Sequence, residues 1–74
     1  MLVSTIDIAT VHTEDFYNPF TGDRIMPDSK RLIIRYKGTG KPIEITIAEK
    51  NEASYIEMFE DAMKKNQTCI ILQD

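Results

Sequence analysis

Apolar and polar positions alternate most clearly over residues 30–37 and 42–48. Leu32, Ile34 and Tyr36 fall on one side of the first segment, with Arg31, Ile33, Arg35 and Lys37 on the other. In the second, Ile43, Ile45 and Ile47 alternate with Glu44 and Thr46. A period of two marks strands with one face buried. Gly38-Thr39-Gly40-Lys41 between them predicts a hairpin. With Thr39-Gly40 as a two-residue turn, Tyr36 faces Ile43, Ile34 faces Ile45 and Leu32 faces Ile47. Arg35 then lies across from Glu44, a favourable cross-strand pair. A slip of one residue would set core positions against solvent positions, so the parity of the register is fixed. Pro42, which has no N–H to give, sits at a strand start, where it is tolerated.

Residues 51–65 carry the helical period instead. Ala53, Ile56, Phe59, Ala62 and Met63 form one stripe. Asn51 or Ser54 is placed to cap the start, Ser54 having capping-box spacing to Glu57. Lys64 and Lys65 suit the negative end of the helix dipole, and Asn66 suits a left-handed cap. Residues 2–12, rich in Val, Ile and Thr, predict a first strand. Ile6 and Ile8 share its inner face, and a strand end or bulge falls near Ala9-Thr10-Val11. Thr68 to Leu72 predicts a last strand, covered on both faces or docked between neighbours. Residues 13–29 predict a long loop, punctuated by Asn18-Pro19-Phe20-Thr21-Gly22 and by Pro27-Asp28-Ser29. That loop holds Phe16, Tyr17, Phe20, Ile25 and Met26. Their expected place is over the core, and the alternative is an exposed apolar contact patch.

The predicted fold is therefore one α+β domain over residues 1–74. It is a small, mostly antiparallel sheet in the order β-β-β-α-β, with one amphipathic helix packed on one face. The expected core is Ile6, Ile8, Leu32, Ile34, Ile45, Ile47, Ile56, Phe59, Met63 and Ile71. The chain of 74 residues is 42% apolar, which suits one small folded core and argues against wholesale disorder. It has no apolar run long enough to span a membrane and no basic, apolar leader, so a cytoplasmic location is expected. A single cysteine, Cys69, cannot form an internal disulfide. Its apolar neighbours predict a core thiol rather than a reactive one.

Charge changes the picture most. Residues 1–23 hold four acids and no Lys or Arg; residues 24–41 hold six bases and one acid; residues 42–74 hold seven acids and three bases. The net charge of −3 hides this segregation. Folding must either interleave the blocks into ion pairs or leave faces of one sign. Among groups that carry chemistry, His12 beside Glu14 and Asp15 is the sole histidine. It reads as a surface residue next to acids rather than a divalent-metal ligand. No nucleophile, base and carboxylate are spaced as a catalytic set, and the glycines at 38 and 40 are accounted for by a turn. Neither an enzyme nor a cofactor is expected.

Three binding surfaces follow. Glu49, Glu52, Glu57, Glu60 and Asp61 make an acidic helix side that suits a basic, nucleic-acid-binding protein. Arg31, Arg35, Lys37 and Lys41 make a basic hairpin that suits nucleic acid directly. Phe16, Tyr17 and Phe20 make an apolar contact loop. An exposed Ile33 or an open strand edge would also serve a homodimer.

Leu32-Ile33-Ile34-Arg35, a short polar turn, a second strand, and then Asn51-Glu52-x-Ser54-x-Ile56-Glu57 with Phe59, Ala62 and Lys64 resemble part of the small phage-encoded anti-CRISPR proteins. The resemblance covers roughly half of the chain through short motifs. It implies an acidic inhibitor that mimics phosphates on a nucleic-acid-binding surface. It assigns no individual residue. The functional expectation is thus a non-enzymatic protein-interaction module, of phage or mobile-element type, that binds a host nucleic-acid-handling protein. The alternatives are a small nucleic-acid-binding protein and an accessory subunit of a larger assembly.

Overall fold

A computed structural model describes residues 1–38 and 40–72. The elements are β1 (Leu2–Ser4), β2 (Ile8–Tyr17), β3 (Arg24–Tyr36), β4 (Ile43–Ala48), a 3-10 turn (Glu49–Asn51), α1 (Glu52–Lys64) and β5 (Cys69–Ile71). The architecture is α+β. β2, β3 and β4 form an antiparallel sheet in that order, and β1 pairs with β5 as a separate antiparallel ribbon.

The expected first strand is broken in two. Asp7 adopts the left-handed conformation (φ 61°), which Asp tolerates better than a β-branched residue would. The turn it makes swings Ile6 outward, 57% exposed, instead of placing it with Ile8 in the core. The irregularity foreseen near Ala9 is present as a register shift between Ile8 and Thr10.

The larger correction concerns residues 13–29. They are not a long loop: most of them extend β2 and β3 into a hairpin whose turn spans only residues 18–23. The turn chemistry at Asn18 is real. Its Oδ1 accepts the Phe20 N–H at 2.9 Å, and its carbonyl accepts the Gly22 N–H at 2.8 Å, with Gly22 at φ 76°. Pro27-Asp28-Ser29, by contrast, lies inside a bulge. Pairing passes from Asp15↔Lys30 directly to Phe16↔Ile25, leaving residues 26–29 of β3 without partners on β2. Met26, at φ 54°, lies in that bulge.

Between β3 and β4 the faces are as expected but the register is not. Ile34 pairs with Ile43, Leu32 with Ile45 and Lys30 with Ile47, two residues away from the tight-turn register. A two-residue shift keeps every side chain on its face, so alternation alone does not select between the two. The connection is longer than two residues, with Gly38 and Gly40 at φ 92° and 148°. Thr39, the first residue of the expected turn, lies outside the described residues. Arg35 consequently lies across from Thr10 on β2, and Glu44 lies across from Ile33.

The core joins both sheets and the helix. Val3, Leu32, Ile34, Ile47, Phe59, Ala62, Ile70 and Leu72 are buried in one cluster, with Ile8, Val11, Tyr36, Ile43, Ile45, Tyr55 and Ile56 partly buried against it. β5 is covered on one face only, not on both: Ile70 and Leu72 point inward, while Ile71, expected in the core, is 73% exposed and Cys69 is exposed rather than a core thiol. Met63, expected inside, lies on the rim of the helix stripe and is exposed. The helix starts after Asn51, which makes no side-chain cap, and Ser54 lies inside it. Its end is as read from sequence. Asn66 is left-handed (φ 59°), its N–H reaches the Met63 carbonyl, and the Gln67 N–H reaches the Ala62 carbonyl, the paired bonds of a Schellman cap.

Candidate functional site

The charged blocks interleave on folding, and β3 is the reason. It carries the bases, and its neighbours on both sides carry acids. On the core side of the sheet, Arg24 lies 3.1 Å from Asp15 and 2.9 Å from Glu49. Lys30 lies 3.4 Å from Asp15 and 2.9 Å from Glu52. These five residues tie the β2–β3 hairpin to the start of the helix, and each block contributes to them. Burial pushes the Asp15 carboxyl upward. The Tyr17 hydroxyl, the Lys30 ammonium and the charge of Arg24 outweigh it and hold Asp15 below its ordinary value. The Glu49 carboxylate raises Arg24, and Glu52 followed by Asp15 raises Lys30.

On the opposite face, Arg31 lies 3.3 Å from Glu44 and 3.8 Å from Glu14, again one residue from each block. Its guanidinium also stands 5.5 Å from the centre of the Phe16 ring, within cation–π range. Ile33, expected as an exposed apolar residue for self-association, is 1% exposed. It lies outside the core cluster, between His12 on β2 and Glu44 on β4.

These pairings reduce two of the three expected surfaces. Of the acidic set, Glu49 and Glu52 are held by Arg24 and Lys30, and Asp61 is 3.0 Å from Lys65. Glu57 and Glu60 are exposed and form no ion pair among the described residues. Of the basic set, Arg31 is engaged on both sides. Arg35, Lys37 and Lys41 are exposed and unpaired among the described residues. His12 lies 3.4 Å from Glu14, and no group of three potential metal-ligating side chains is found among the described residues.

The third surface is the one the fold builds up. Phe16 is half-buried beneath Arg31 and belongs to the arm's support. Beyond it, Tyr17 (56% exposed), Phe20 (94%), Ile25 (47%) and Met26 (49%) all reach solvent at the end of the β2–β3 hairpin. β4 pairs with β3 no farther along than Ser29, so the arm beyond that row is two strands wide. The expectation that these side chains close over the core therefore fails: four of them reach solvent, and Phe16 packs beneath Arg31 on the face away from the core cluster. Ile25 and Met26 face outward because the bulge at residues 26–29 displaces β3 from the row that would have carried them inward. Sequence reading found the apolar residues but not the hairpin presenting them. Nor did it find the part played by Arg24 and Lys30, for which the only signal was the basic block between two acidic ones.

No protein-family model, no curated protein and no solved structure matches the chain. Among the described residues, no helix is long and apolar enough to cross a membrane.

Proposed function

We propose that this chain is a non-enzymatic protein-interaction module that engages its partner with the tip of the β2–β3 arm. The observation that carries this reading is the exposure of Tyr17, Phe20, Ile25 and Met26 within ten consecutive residues at the end of one hairpin. Exposed apolar groups gathered in this way mark contact sites on soluble proteins, and aromatic residues anchor such contacts. The arm is held to the helix by the Asp15–Arg24–Lys30–Glu49–Glu52 network. An anchored arm loses less freedom on binding than a free loop.

Charge points to the kind of partner. Between residues 14 and 28 there are four acids and one base. Asp23 and Asp28 are exposed and unpaired among the described residues. The fitting partner is a protein with an apolar cleft rimmed by Lys and Arg, such as a nucleic-acid-handling protein that the acidic chain would occupy and inhibit. The phage-inhibitor reading is one form of this proposal, with Glu57 and Glu60 as its remaining free helix acids.

The test is affinity capture from lysate with nuclease present, run in parallel for the native chain, Phe20→Ser with Tyr17→Ser, and Glu57→Lys with Glu60→Lys. Loss of the captured protein in the tip variant alone supports the arm. Loss in the helix variant alone supports the acidic face instead. A second reading is favoured by Arg35, Lys37 and Lys41, which are exposed and unpaired among the described residues. It assigns direct nucleic-acid binding, with affinity falling steeply as salt rises. Absence of binding to mixed-sequence DNA and RNA at low salt excludes it.

A further inference from the structure

Two expectations of the core fail at one place. Ile6 is swung outward by the left-handed turn at Asp7, and Met63 lies exposed on the rim of the helix stripe. Both line a concavity of about 270 Å³, together with Ile8, Asp7, Lys37 and the Asn66 cap of the helix. The β2–β3 ladder sets this concavity at one end and the arm tip at the other, running from Ile8↔Tyr36 to Tyr17↔Arg24. Next to its first row, the Lys37 N–H donates to the Asp7 carbonyl at 2.8 Å. Beyond its last row stands Phe20, 94% exposed. The 10 residues of β2 separate the two ends, so no chain fills its own concavity.

The two ends are complementary in size and in charge. A cavity of roughly 150 Å³ accepts a benzene-sized ring, so the concavity has room for the Phe20 ring against Ile6, Ile8 and Met63. Asp23 and Asp28 flank the tip, exposed and unpaired among the described residues. Arg35 and Lys37 at the far end of β3, and Lys41 in the connection to β4, are likewise exposed and unpaired among the described residues. At that end of the sheet these three cations stand against the carboxylate of Asp7, the one acid lining the concavity.

We infer that the arm tip of one copy seats in this concavity of the next, so that the chain assembles head to tail. Head-to-tail assembly rests on the tip being the contact site proposed above, and a second copy is then its partner. The tip asks for an apolar hollow bordered by Lys and Arg, and the same chain carries one at its other end. Charge also selects the direction. Tip against tip would set Asp23 and Asp28 against their own kind, and concavity against concavity would do the same with Lys37 and Lys41. Tip against concavity brings unlike charges together. Such a contact is heterologous and repeats from copy to copy, giving an open filament unless the rotation closes a ring. One aromatic ring in one small hollow sets each contact among weak, reversible interfaces. A tip covered by a second copy is withheld from any other partner, so self-assembly and partner capture compete.

Sedimentation velocity of the full chain across a concentration series, at about 0.01 M and about 1 M salt, tests this. The expected result is reversible growth past the dimer, weakened at high salt. Phe20→Ser removes the ring from the tip, and Lys37→Glu with Lys41→Glu reverses the charge beside the concavity. Each variant alone should stay monomeric where the native chain assembles, its dissociation constant raised at least about tenfold. Both change exposed side chains, so their melting temperatures should stay close to the native one. Mixed in equal amounts, they should form a dimer and nothing larger, because the mixture offers one intact tip to one intact concavity. The inference is overturned if the native chain stays monomeric up to about 1 mM, if assembly stops at a symmetric dimer, or if the mixed variants do not pair. A monomeric native chain that still loses its captured protein with Phe20→Ser and Tyr17→Ser overturns head-to-tail assembly and leaves the tip a contact site. A native chain that assembles through the tip, while the tip variant captures the same protein as before, supports this inference and removes the tip from foreign-partner binding.

Discussion

The β2–β3 hairpin has a base and a tip that obey opposite rules. At the base, Leu32 and Ile34 are fully buried against Phe59, and Ile33 is 1% exposed on the other face. At the tip, beyond the row Asp15–Lys30–Ile47, equally large side chains stand in solvent: Tyr17, Phe20, Ile25 and Met26. The same two strands supply both. The difference is the third strand. β4 accompanies β3 over the base and stops at Ser29. The lesson is that exposure at the tip follows from topology rather than from composition, so the apolar groups there are free for a partner.

The comparison predicts a graded response to substitution. Phe59→Ala removes a ring with no exposed surface and should cost about 3–5 kcal/mol, enough to unfold most of a domain this small. Thermal or urea unfolding reads it, and a native-like melt would break the claim that the helix closes the core. Ile33→Ala should cost about 2–3 kcal/mol because Ile33 is 1% exposed, although it lies outside the core cluster. A loss below about 0.5 kcal/mol, typical of surface sites, would show that Ile33 is exposed in solution.

The ion network between base and tip sets a pH dependence. Asp15 is held below its ordinary value, so the unfolded chain takes up its proton first and stability falls as the solution is acidified below about pH 4. Lys30 is raised, and burial raises Tyr36, whose hydroxyl donates to the Ser4 carbonyl at 2.7 Å. The folded state holds both protons longer than the unfolded state, so stability also falls above about pH 10. Unfolding measured across pH should show a plateau between these limits. Asp15→Asn should flatten its acid side. The smallest effect on stability belongs to the tip: Phe20→Ser should shift it by no more than about 0.5 kcal/mol.

How much of this was legible in the chain depends on what each element faces. The helix and its Asn66 cap were readable because one face is buried and the cap chemistry is local. The faces of β3 and β4 were readable from alternation, but their register was not. Alternation does not distinguish registers two residues apart, and the connection through Gly38 and Gly40 offers no tight turn to decide it. The arm was hidden for a different reason. β2 is an edge strand with polar residues on both faces, and the four-residue bulge before Lys30 breaks the period in β3. Pro27 and Asp28 then read as a turn. The acidic helix side looked continuous in sequence, yet Glu49 and Glu52 answer to Arg24 and Lys30 across the fold.

The central claim is that the tip serves binding while the base serves folding. The most direct measurement compares partner capture and thermal unfolding for the native chain and for Phe20→Ser with Tyr17→Ser. The account predicts a lost partner with a melting temperature lowered by no more than the loss of the Tyr17–Asp15 hydrogen bond, about 1 kcal/mol. Retained capture would contradict it, and so would a melt lowered as far as that of Phe59→Ala, which would make the tip part of the core.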